Sequence, residues 1–451
     1  MTRSPAVFFV SSEFHFSDRF PQWKSTEAAT PTNEKQRDKA RFAAELDRIG
    51  FDAIFITDFL GLNRTLIRHS GPRSFEPVTL AGYLAAHTER IGLVITVSTQ
   101  FSEPYTVARE LASLDRLSDG RAGWNVVTSF NGETNYGYTQ IPAPRERYRR
   151  AREFLDVTKA LWTSWDADAI IADRDAEIYV DTDRVHDIGW SGEHFRVHQA
   201  LDLPPSPQVF PLIAQAGASD DGIALAADTA EVVFVASPDI DAGKRYYRRL
   251  KAAVVAAGRH ADDLKVLPGI RIYLGDTDEQ AWAAYSAELT DLDLERAREA
   301  ITYEIPGLDL SDLDLDDHIP LDRFPDRAEL ERTGRRVSRA LIYREWVETG
   351  AYPRLRNFLV RYATSFGHFQ IVGTAETAAD IITQWIDEGA ADGFTLLGGS
   401  SFDRIAGDLI PLLRQRGVFR DDVAPTRLRD RLGTRTPGLP ENHRVVEWIA
   451  R

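Results

Sequence analysis

The sequence predicts an α/β fold, a (β/α)8 TIM barrel with insertions in its loops, as a single domain over residues 1–451. Short apolar runs alternate with helical stretches, as expected of a parallel sheet covered by helices. There are eight such runs, the number that closes a barrel. Several runs end in polar residues, and the carboxyl ends of barrel strands face the reaction site. An open doubly wound sheet is the alternative, but it ordinarily has a glycine-rich turn where this chain has Glu13-Phe14-His15.

The elements follow from residue types and from turn signals. The strand runs are rich in Val, Ile and Phe. Two helices start at prolines, Pro77 and Pro104, and turn residues such as Gly50 and Gly120 end others. The predicted strands are Val7–Ser12, Ala53–Asp58, Gly92–Ser98, Arg121–Ser129, Pro211–Ala216, Val232–Ala236, Leu264–Leu274 and Gly393–Leu397. The predicted helices are Glu34–Ile49, Pro77–Glu89, Pro104–Leu117, Arg145–Trp165, Asp220–Thr229, Asp241–Gly258, Asp278–Leu289, Ala375–Glu388 and Phe402–Arg416, with further helices within Ala328–Ala363.

Three segments interrupt or follow this alternation. We interpret residues 166–209 and 290–345 as insertions and residues 418–451 as a C-terminal tail that wraps the surface. Long loops in barrels usually carry function, so both insertions are expected at the catalytic mouth.

Composition excludes several classes of protein. The formal net charge of -15 argues against nucleic-acid binding, which needs a basic surface. The chain has no cysteine, so disulfides, thiolate metal sites and cysteine nucleophiles are excluded. No apolar run is long enough to span a membrane and no signal-peptide pattern follows Met1, so we expect a cytoplasmic protein.

Polar strand ends are the first candidate site. The stretch Arg121–Ser129 (RAGWNVVTS) runs from apolar residues to Asn125, Thr128 and Ser129. The alternative is that Thr128 and Ser129 only cap the next helix. Other strands also end in polar residues, and together they indicate a mouth that binds a polar, ring-bearing ligand. These other residues are Asp58, Thr96 and Ser98, of which Asp58 could equally be a helix cap or a salt-bridge partner.

A second candidate site is the turn Gly217-Ala218-Ser219, between a predicted strand and a helix. The free N–H groups and the dipole of a helix start would receive a phosphate, with the Ser219 hydroxyl as a further donor. The alternative is that Ser219 is a simple N-cap. Tyr148 could donate to the same phosphate or pack its ring on the barrel.

Other polar residues give weaker signals. His194 and His198 would share one face of a strand, but no third metal ligand is evident nearby, so we predict no metal site. His15 follows the first strand and could reach the mouth, or lie in solvent. Arg64, Arg68 and Arg73 could favour an anionic substrate, or form a solvated surface.

Longer stretches of the chain resemble one family. They are RIGLVITVSTQFSEPYTVARELASLDRLSDGRAGWNVVTSFN, RYRRAREFLDV, GEHFRV, QAGASDDGIALAA and VGTAETAADIITQWIDEGAADGF. From about the first strand to near Arg420 the chain resembles the bacterial luciferase-like flavin monooxygenases. Within them it is similar to the subgroup of nitrilotriacetate, EDTA, dibenzothiophene-sulfone and long-chain alkane monooxygenases, and WNVVTS, QAGAS and the terminal DGF are quite specific to that subgroup.

The resemblance implies a two-component monooxygenase. Reduced FMN (FMNH2), delivered by a separate NAD(P)H-dependent flavin reductase, would react with O2 to a C4a-peroxide that oxygenates a small organic substrate. The substrate could be an organosulfur compound, an amine or carboxylate, or a hydrocarbon. By the same resemblance the chain would form a homodimer or homotetramer.

The resemblance also implies roles for individual residues. Asp58, Ser98 and Asn125 would lie by the flavin ring or its ribityl chain. Tyr148 and the turn at Ala218 and Ser219 would lie by its phosphate. We assign proton control to His15 as the candidate catalytic residue.

One position departs from the family pattern. Relatives often have a histidine a few residues before the tyrosine of the RY motif, and here Pro144 stands at about that position with Arg145 and Arg147 beside it. An arginine could replace the lost phosphate donor. Two alternatives to the monooxygenase keep the same barrel: a hydride-transfer enzyme that uses the deazaflavin F420, and a non-catalytic flavin-holding protein.

Overall fold

The computed structural model describes residues 5–12, 32–62, 64, 75–129, 131–290, 292–333, 337–399, 402–421 and 427–435. Nine parallel strands form the main sheet: β1 Val7–Ser11, β2 Ala53–Ile56, β3 Gly92–Ser98, β4 Ala122–Val127, β5 Leu212–Gln215, β6 Val232–Val235, β7 Lys265–Leu274, β8 Phe369–Gly373 and β9 Gly393–Gly399. Eight of them close into a ring in the order β1-β2-β3-β4-β5-β6-β7-β9, with β9 paired back to β1. The predicted TIM barrel is therefore confirmed.

Helices surround the barrel, and most of them lie at the predicted places, whereas those at Leu294–Glu304 and Leu428–Leu432 are absent from the prediction. Three of the described helices have proline as their first residue, where the missing N–H costs no hydrogen bond. The helices are α1 Thr32–Ile49, α2 Pro77–Ala85, α3 Pro104–Leu117, α4 Pro144–Trp162, α5 Asp220–Thr229, α6 Ile240–Ala256, α7 Asp278–Thr290, α8 Leu294–Glu304, α9 Arg327–Thr333, α10 Val337–Glu348, α11 Leu355–Ser365, α12 Ala375–Asp387, α13 Phe402–Arg404, α14 Ile410–Gln415 and α15 Leu428–Leu432, with a π-helical segment Ile405–Leu409 between α13 and α14. None of the helices in the described ranges combines the length and the apolar character that a membrane span requires.

The ninth strand, β8, is absent from the sequence prediction. It pairs with the second half of β7, from Ile270 opposite Phe369 to Leu274 opposite Gly373, whereas the first half of β7 pairs with β6. Its sequence, FQIVG, is short and leads directly into the N-cap of α12 at Thr374. The prediction used only this cap signal and overlooked the strand before it.

Two hydrophobic layers follow from the alternation of side chains along each strand. In β1, Phe8 and Val10 face the surrounding helices, whereas Val7 and Phe9 face the interior of the barrel. The interior layer also contains Leu428 and Leu432 of α15. The prediction that the tail wraps the surface is wrong for Leu428 and Leu432, which are buried in the barrel core, whereas Asp430, Gly433 and Arg435 of the same segment are exposed.

The two insertions lie in different places. Residues 166–209 form two small hairpins in the connection from α4 to β5, and none of them lines the main cavity. The expected position at the mouth is wrong for this insertion, because a connection that leads from a helix back to a strand belongs to the opposite end of the barrel. The region 290–345 is mostly helical, and its side chains share a core with α11 around Tyr343 and Phe358. Part of it lines the cavity.

Candidate active site

A cavity of about 1520 Å³ opens at the carboxyl ends of the barrel strands. The sequence-predicted residues Asp58, Ser98, Asn125, Tyr148, Ala218 and Ser219 all line it. The structure thus brings together groups that are up to about 160 residues apart in the chain, as expected at the catalytic end of a barrel.

The ends of β3 and β4 form a neutral polar wall. Thr96 pairs with Asn125 across the two strands, and the Asn125 side-chain amide donates to Thr96 Oγ1 at 2.9 Å. This bond fixes the amide, so that Oδ1 is the acceptor left for other groups, and Oδ1 is buried without a hydrogen-bond partner. The Ser129 hydroxyl donates to Ser98 Oγ at 2.7 Å, and Ser129 has a left-handed backbone (φ 51°). An unsatisfied buried acceptor in a cavity indicates a donor on the ligand.

The turn after β5 has the geometry expected of a phosphate site. Ser219 caps α5 by accepting from Gly222 N at 3.2 Å, and its hydroxyl lies 3.3 Å from the Tyr148 hydroxyl. Tyr246 donates to the Gly217 carbonyl at 3.1 Å, and burial raises the pKa of its phenol well above the usual range. The N-cap interpretation of Ser219 is therefore correct, and it is compatible with phosphate binding because the helix dipole and two hydroxyls face the same cavity.

Glycine is required at this turn. A Cβ at Gly222 would lie 2.9 Å from the Tyr148 hydroxyl oxygen, and a Cβ at Gly217 would lie 3.1 Å from Gly222 Cα. Larger residues would push Tyr148 away from the helix start. The close packing keeps the hydroxyls and the backbone of the turn at one end of the cavity.

Arg147 occupies the junction of the two polar regions. Its side chain is buried and donates from Nη1 to the Ser129 carbonyl, and this burial lowers its pKa. Arg145 lines the same end of the cavity and is exposed. Pro144, which stands where the family often has histidine, is the first residue of α4.

Asp58 lies at the opposite side of the mouth. One carboxylate oxygen accepts from the backbone N–H of Phe59 at 2.8 Å. The pKa of Tyr136 is raised, mainly by burial and secondly by the negative charge of Asp58. Among the remaining candidates, His15, Arg68 and Arg73 lie outside the described residues, and Arg64 is exposed and lines a separate, smaller cavity.

His194 lies away from the cavity, in the first insertion. Two carboxylates approach it, those of Glu146 and Glu193, and the three groups have possible ligand atoms within 4.8 Å of one another. The sequence prediction missed Glu146, which is far away in the chain, and also Glu193, which directly precedes His194. Arg149 pairs with both carboxylates, which explains the cluster as an ion-pair network. His198 is not part of it.

Sequence reasoning also missed residues on the far wall of the cavity. Arg271 of β7 is buried and donates to Glu288 at 3.1 Å, and the Tyr273 hydroxyl donates to the other oxygen of Glu288 at 2.6 Å. Arg339 and the buried His368 form a second pair at 2.8 Å. The arginine inside the buried run GIRIYL could have indicated a functional residue. The sequence around His368 has no feature that would have indicated one.

Together, the fold and the site define a (β/α)8 barrel with a large, partly polar cavity at the carboxyl ends of its strands. The luciferase-like monooxygenase family model matches residues 13–392, most of the chain. The chain belongs to this family, so the predicted family and enzyme class are confirmed.

Individual relatives are also similar over most of their length. The chain is 38% identical to nitrilotriacetate monooxygenase component A of Aminobacter aminovorans, covering 81% of this chain and 80% of that protein. It is 34% identical to N-acetyl-S-(2-succino)cysteine monooxygenase of Bacillus subtilis (strain 168), covering 96% of each. A crystal structure of riboflavin lyase with modified FMN and riboflavin superimposes with a TM-score of 0.80 at 27% identity, covering 99% of both chains.

Proposed function

We propose that the chain is a two-component monooxygenase that uses FMNH2 and O2 to oxygenate a small organic substrate, with FMNH2 supplied by a separate NAD(P)H-dependent reductase. The observation that carries this proposal is the cavity that joins a phosphate-type turn at Ser219 to the unsatisfied acceptor of Asn125. The name of one relative, component A of a monooxygenase, supports a second component. The flavin in a similar structure supports the cofactor.

The residues fit FMN in two groups. Tyr148, Ser219 and the backbone around Ala218 would hold the phosphate, with Arg147 supplying positive charge close by. Ser98, Asn125 and Asp58 would lie by the ring and the ribityl chain. Bound reduced FMN supplies the electrons that activate O2.

The protein contributes orientation and a closed environment. The neutral wall of β3 and β4 orients polar edges of the ring through fixed hydroxyl and amide groups. The helices of the 290–345 region form the opposite side of the cavity and exclude water from the reacting atoms.

The proposal is tested by anaerobic titration with FMNH2, followed by 18O2 and a screen of candidate substrates by mass spectrometry. Tight FMNH2 binding and incorporation of one 18O atom per product are the expected results. Binding of reduced F420 in place of FMNH2 would indicate a hydride-transfer enzyme. Binding of flavin without product from any substrate class would indicate a flavin-holding protein.

Replacing Asn125 with leucine is expected to weaken FMNH2 binding by about 5- to 20-fold, because the flavin loses a buried hydrogen-bond acceptor. The dissociation constant is measured by anaerobic fluorescence titration. Ser113→Ala serves as the control, since that exposed hydroxyl bonds only its own helix at Arg109. Equal affinities of the Asn125→Leu variant and the wild type would remove Asn125 from the flavin site.

His15 remains the proposed residue for proton control. The His15→Ala variant is expected to form less product per FMNH2 oxidised, since unproductive oxidation competes when a proton is delivered to the wrong atom or at the wrong time. Product and hydrogen peroxide are quantified in the same reaction. An unchanged product yield would exclude His15 from the mechanism.

We also propose that the chain works in the cytoplasm as a homodimer or homotetramer. The family resemblance supports this proposal. Light scattering of the purified protein measures the oligomeric state.

A further inference from the structure

The cavity has a second end, away from the phosphate turn, that the flavin residues leave unassigned. It lies between β7, the start of β8 and helices α8 and α10. Its helical side contains an apolar strip beside charged residues of the same helices. The strip is formed by Ala297, Ala300, Val337, Leu341 and Ile342, and the charged residues are Arg296, Glu304, Arg339 and Glu345. A substrate at this end would therefore meet a hydrocarbon surface on one side.

The opposite side of this end carries the guanidinium of Arg271, which pairs with Glu288, and the imidazole of His368. Among the charged and histidine side chains that the described structure places on the cavity wall, those that are buried are Arg147, Arg271 and His368. Arg147 belongs to the phosphate end. The lining carboxylates, including Glu288 and Glu304, are half-buried or exposed. Attraction between charges is stronger where water is excluded, so the buried positions determine which ligand charge is favoured.

Arg271 is held at the cavity wall by its strand and by its neighbours. The pairing of β7 with β9 shifts register between Ile270 and Arg271, and such irregularities re-aim side chains near active sites. Glu288 accepts from Nη1 of Arg271 at 3.1 Å. The same Nη1 lies 3.5 Å from the Tyr273 hydroxyl, which donates to the other oxygen of Glu288.

Arg339 of α10 and His368 form a second polar pair at this end of the cavity. A guanidinium only donates, so the 2.8 Å contact from Arg339 makes Nε2 of His368 the acceptor and places the proton of a neutral ring on Nδ1. A Cβ at position 269 would lie 2.4 Å from His368 Nδ1, so Gly269 makes room for the ring. His368 directly precedes Phe369, which pairs with Ile270, so this pair lies beside Arg271.

We propose that Arg271 and the Arg339–His368 pair bind a carboxylate group of the substrate, whose carbon skeleton packs on α8 and α10. The planar fork of a guanidinium matches a carboxylate, and two arginines from different elements would fix its position. The substrate is then an organic acid, and not a neutral sulfide, sulfone or hydrocarbon. The oxygenation of that acid rests on the proposed function, but its binding does not.

The test is calorimetric binding of a panel of mono-, di- and tricarboxylates beside their methyl esters. The panel includes nitrilotriacetate and N-acetyl-S-(2-succino)cysteine, and it is measured on the flavin-free and the FMN-loaded protein. We expect at least one acid to bind about ten-fold or more tightly than its ester. Arg339→Gln and Arg271→Gln are expected to weaken that acid about 10- to 100-fold without changing the FMN dissociation constant.

Arg245→Gln is the matched control. Arg245 also lines the cavity, but it is exposed and pairs with Glu345 at 3.5 Å on the rim, so we expect acid binding within about two-fold of the wild type. Arg271→Gln leaves Glu288 without its cation, so the single variant can fail to fold. In that case the double variant Arg271→Gln/Glu288→Gln replaces it. The double variant should show the same weakened binding of the acid.

Two results would overturn the carboxylate subsite: esters that bind as tightly as acids, or a control variant that loses as much affinity as Arg339→Gln. Acid binding without FMN binding would contradict the proposed flavin chemistry and leave the subsite standing. FMN binding without a preference for acids over esters would support the flavin site and contradict the carboxylate subsite.

Discussion

Replacing Arg429 with methionine is expected to lower the free energy of unfolding by about 3–5 kcal/mol, because it leaves the carboxylate of Glu231 buried without its cation. Arg429 pairs with Glu231 through Nε and Nη2, and Glu231 is fully buried. The same guanidinium donates to the carbonyls of Gln208 at 3.0 Å and Phe210 at 2.7 Å. One side chain therefore ties the tail to the segment before β5 and to the start of β6.

Urea unfolding, followed by tryptophan fluorescence, measures this effect. The control is Arg435→Met, which removes an exposed arginine 3.7 Å from Asp263 and is expected to change stability by less than about 1 kcal/mol. The double variant Arg429→Met/Glu231→Gln should recover part of the loss, because no buried charge is then unpaired. If Arg429→Met behaves like the control, the pair of Arg429 and Glu231 does not contribute to the stability of the barrel.

The role of this tail illustrates what the sequence could not predict. The eight barrel strands were predictable because each is a short apolar run between helical stretches, and burial on both faces produces that pattern locally. The contact between Arg429 and Glu231 spans 198 residues and leaves no local pattern. A five-residue helix with two leucines is likewise too short to show that it fills a barrel. Strand β8 was missed for the related reason that a short run beside a strong cap signal is ambiguous.

The candidate site likewise contains residues that the sequence could predict and residues that it could not. The convergence of Asp58, Ser98, Asn125 and Ser219 on one cavity could be predicted, because each lies in the second half of a barrel strand or in the loop that follows it, and the carboxyl ends of all barrel strands converge. The wall formed by Arg271, Arg339 and His368 could not be predicted as a unit, because Arg339 comes from a helix of the 290–345 region. Where such a helix lies over a barrel depends on its packing and not on its own periodicity.

Removing both hydroxyls at the phosphate turn, by Ser219→Ala with Tyr148→Phe, is expected to weaken FMNH2 binding by about 10- to 100-fold. Hydrogen bonds to a charged group contribute about 1.5–3 kcal/mol, and the two hydroxyls are 3.3 Å apart at the start of α5. Because they contact each other, the double variant should lose less affinity than the two single variants predict together. Anaerobic titration gives the dissociation constants, and riboflavin, which lacks the phosphate, should bind equally to all variants.

Ser219→Ala removes both a helix cap and a phosphate donor. A second helix cap in the same barrel provides a control that distinguishes these two effects. Thr374 caps α12 by accepting from Thr377 N at 3.2 Å, the same distance at which Ser219 accepts from Gly222. Thr374→Ala and Ser219→Ala should each lower stability by about 1 kcal/mol, and only the latter should weaken FMNH2 binding. Should the double variant at Ser219 and Tyr148 bind FMNH2 within about two-fold of the wild type, the phosphate does not lie at this helix start, and the flavin orientation inferred from it is wrong.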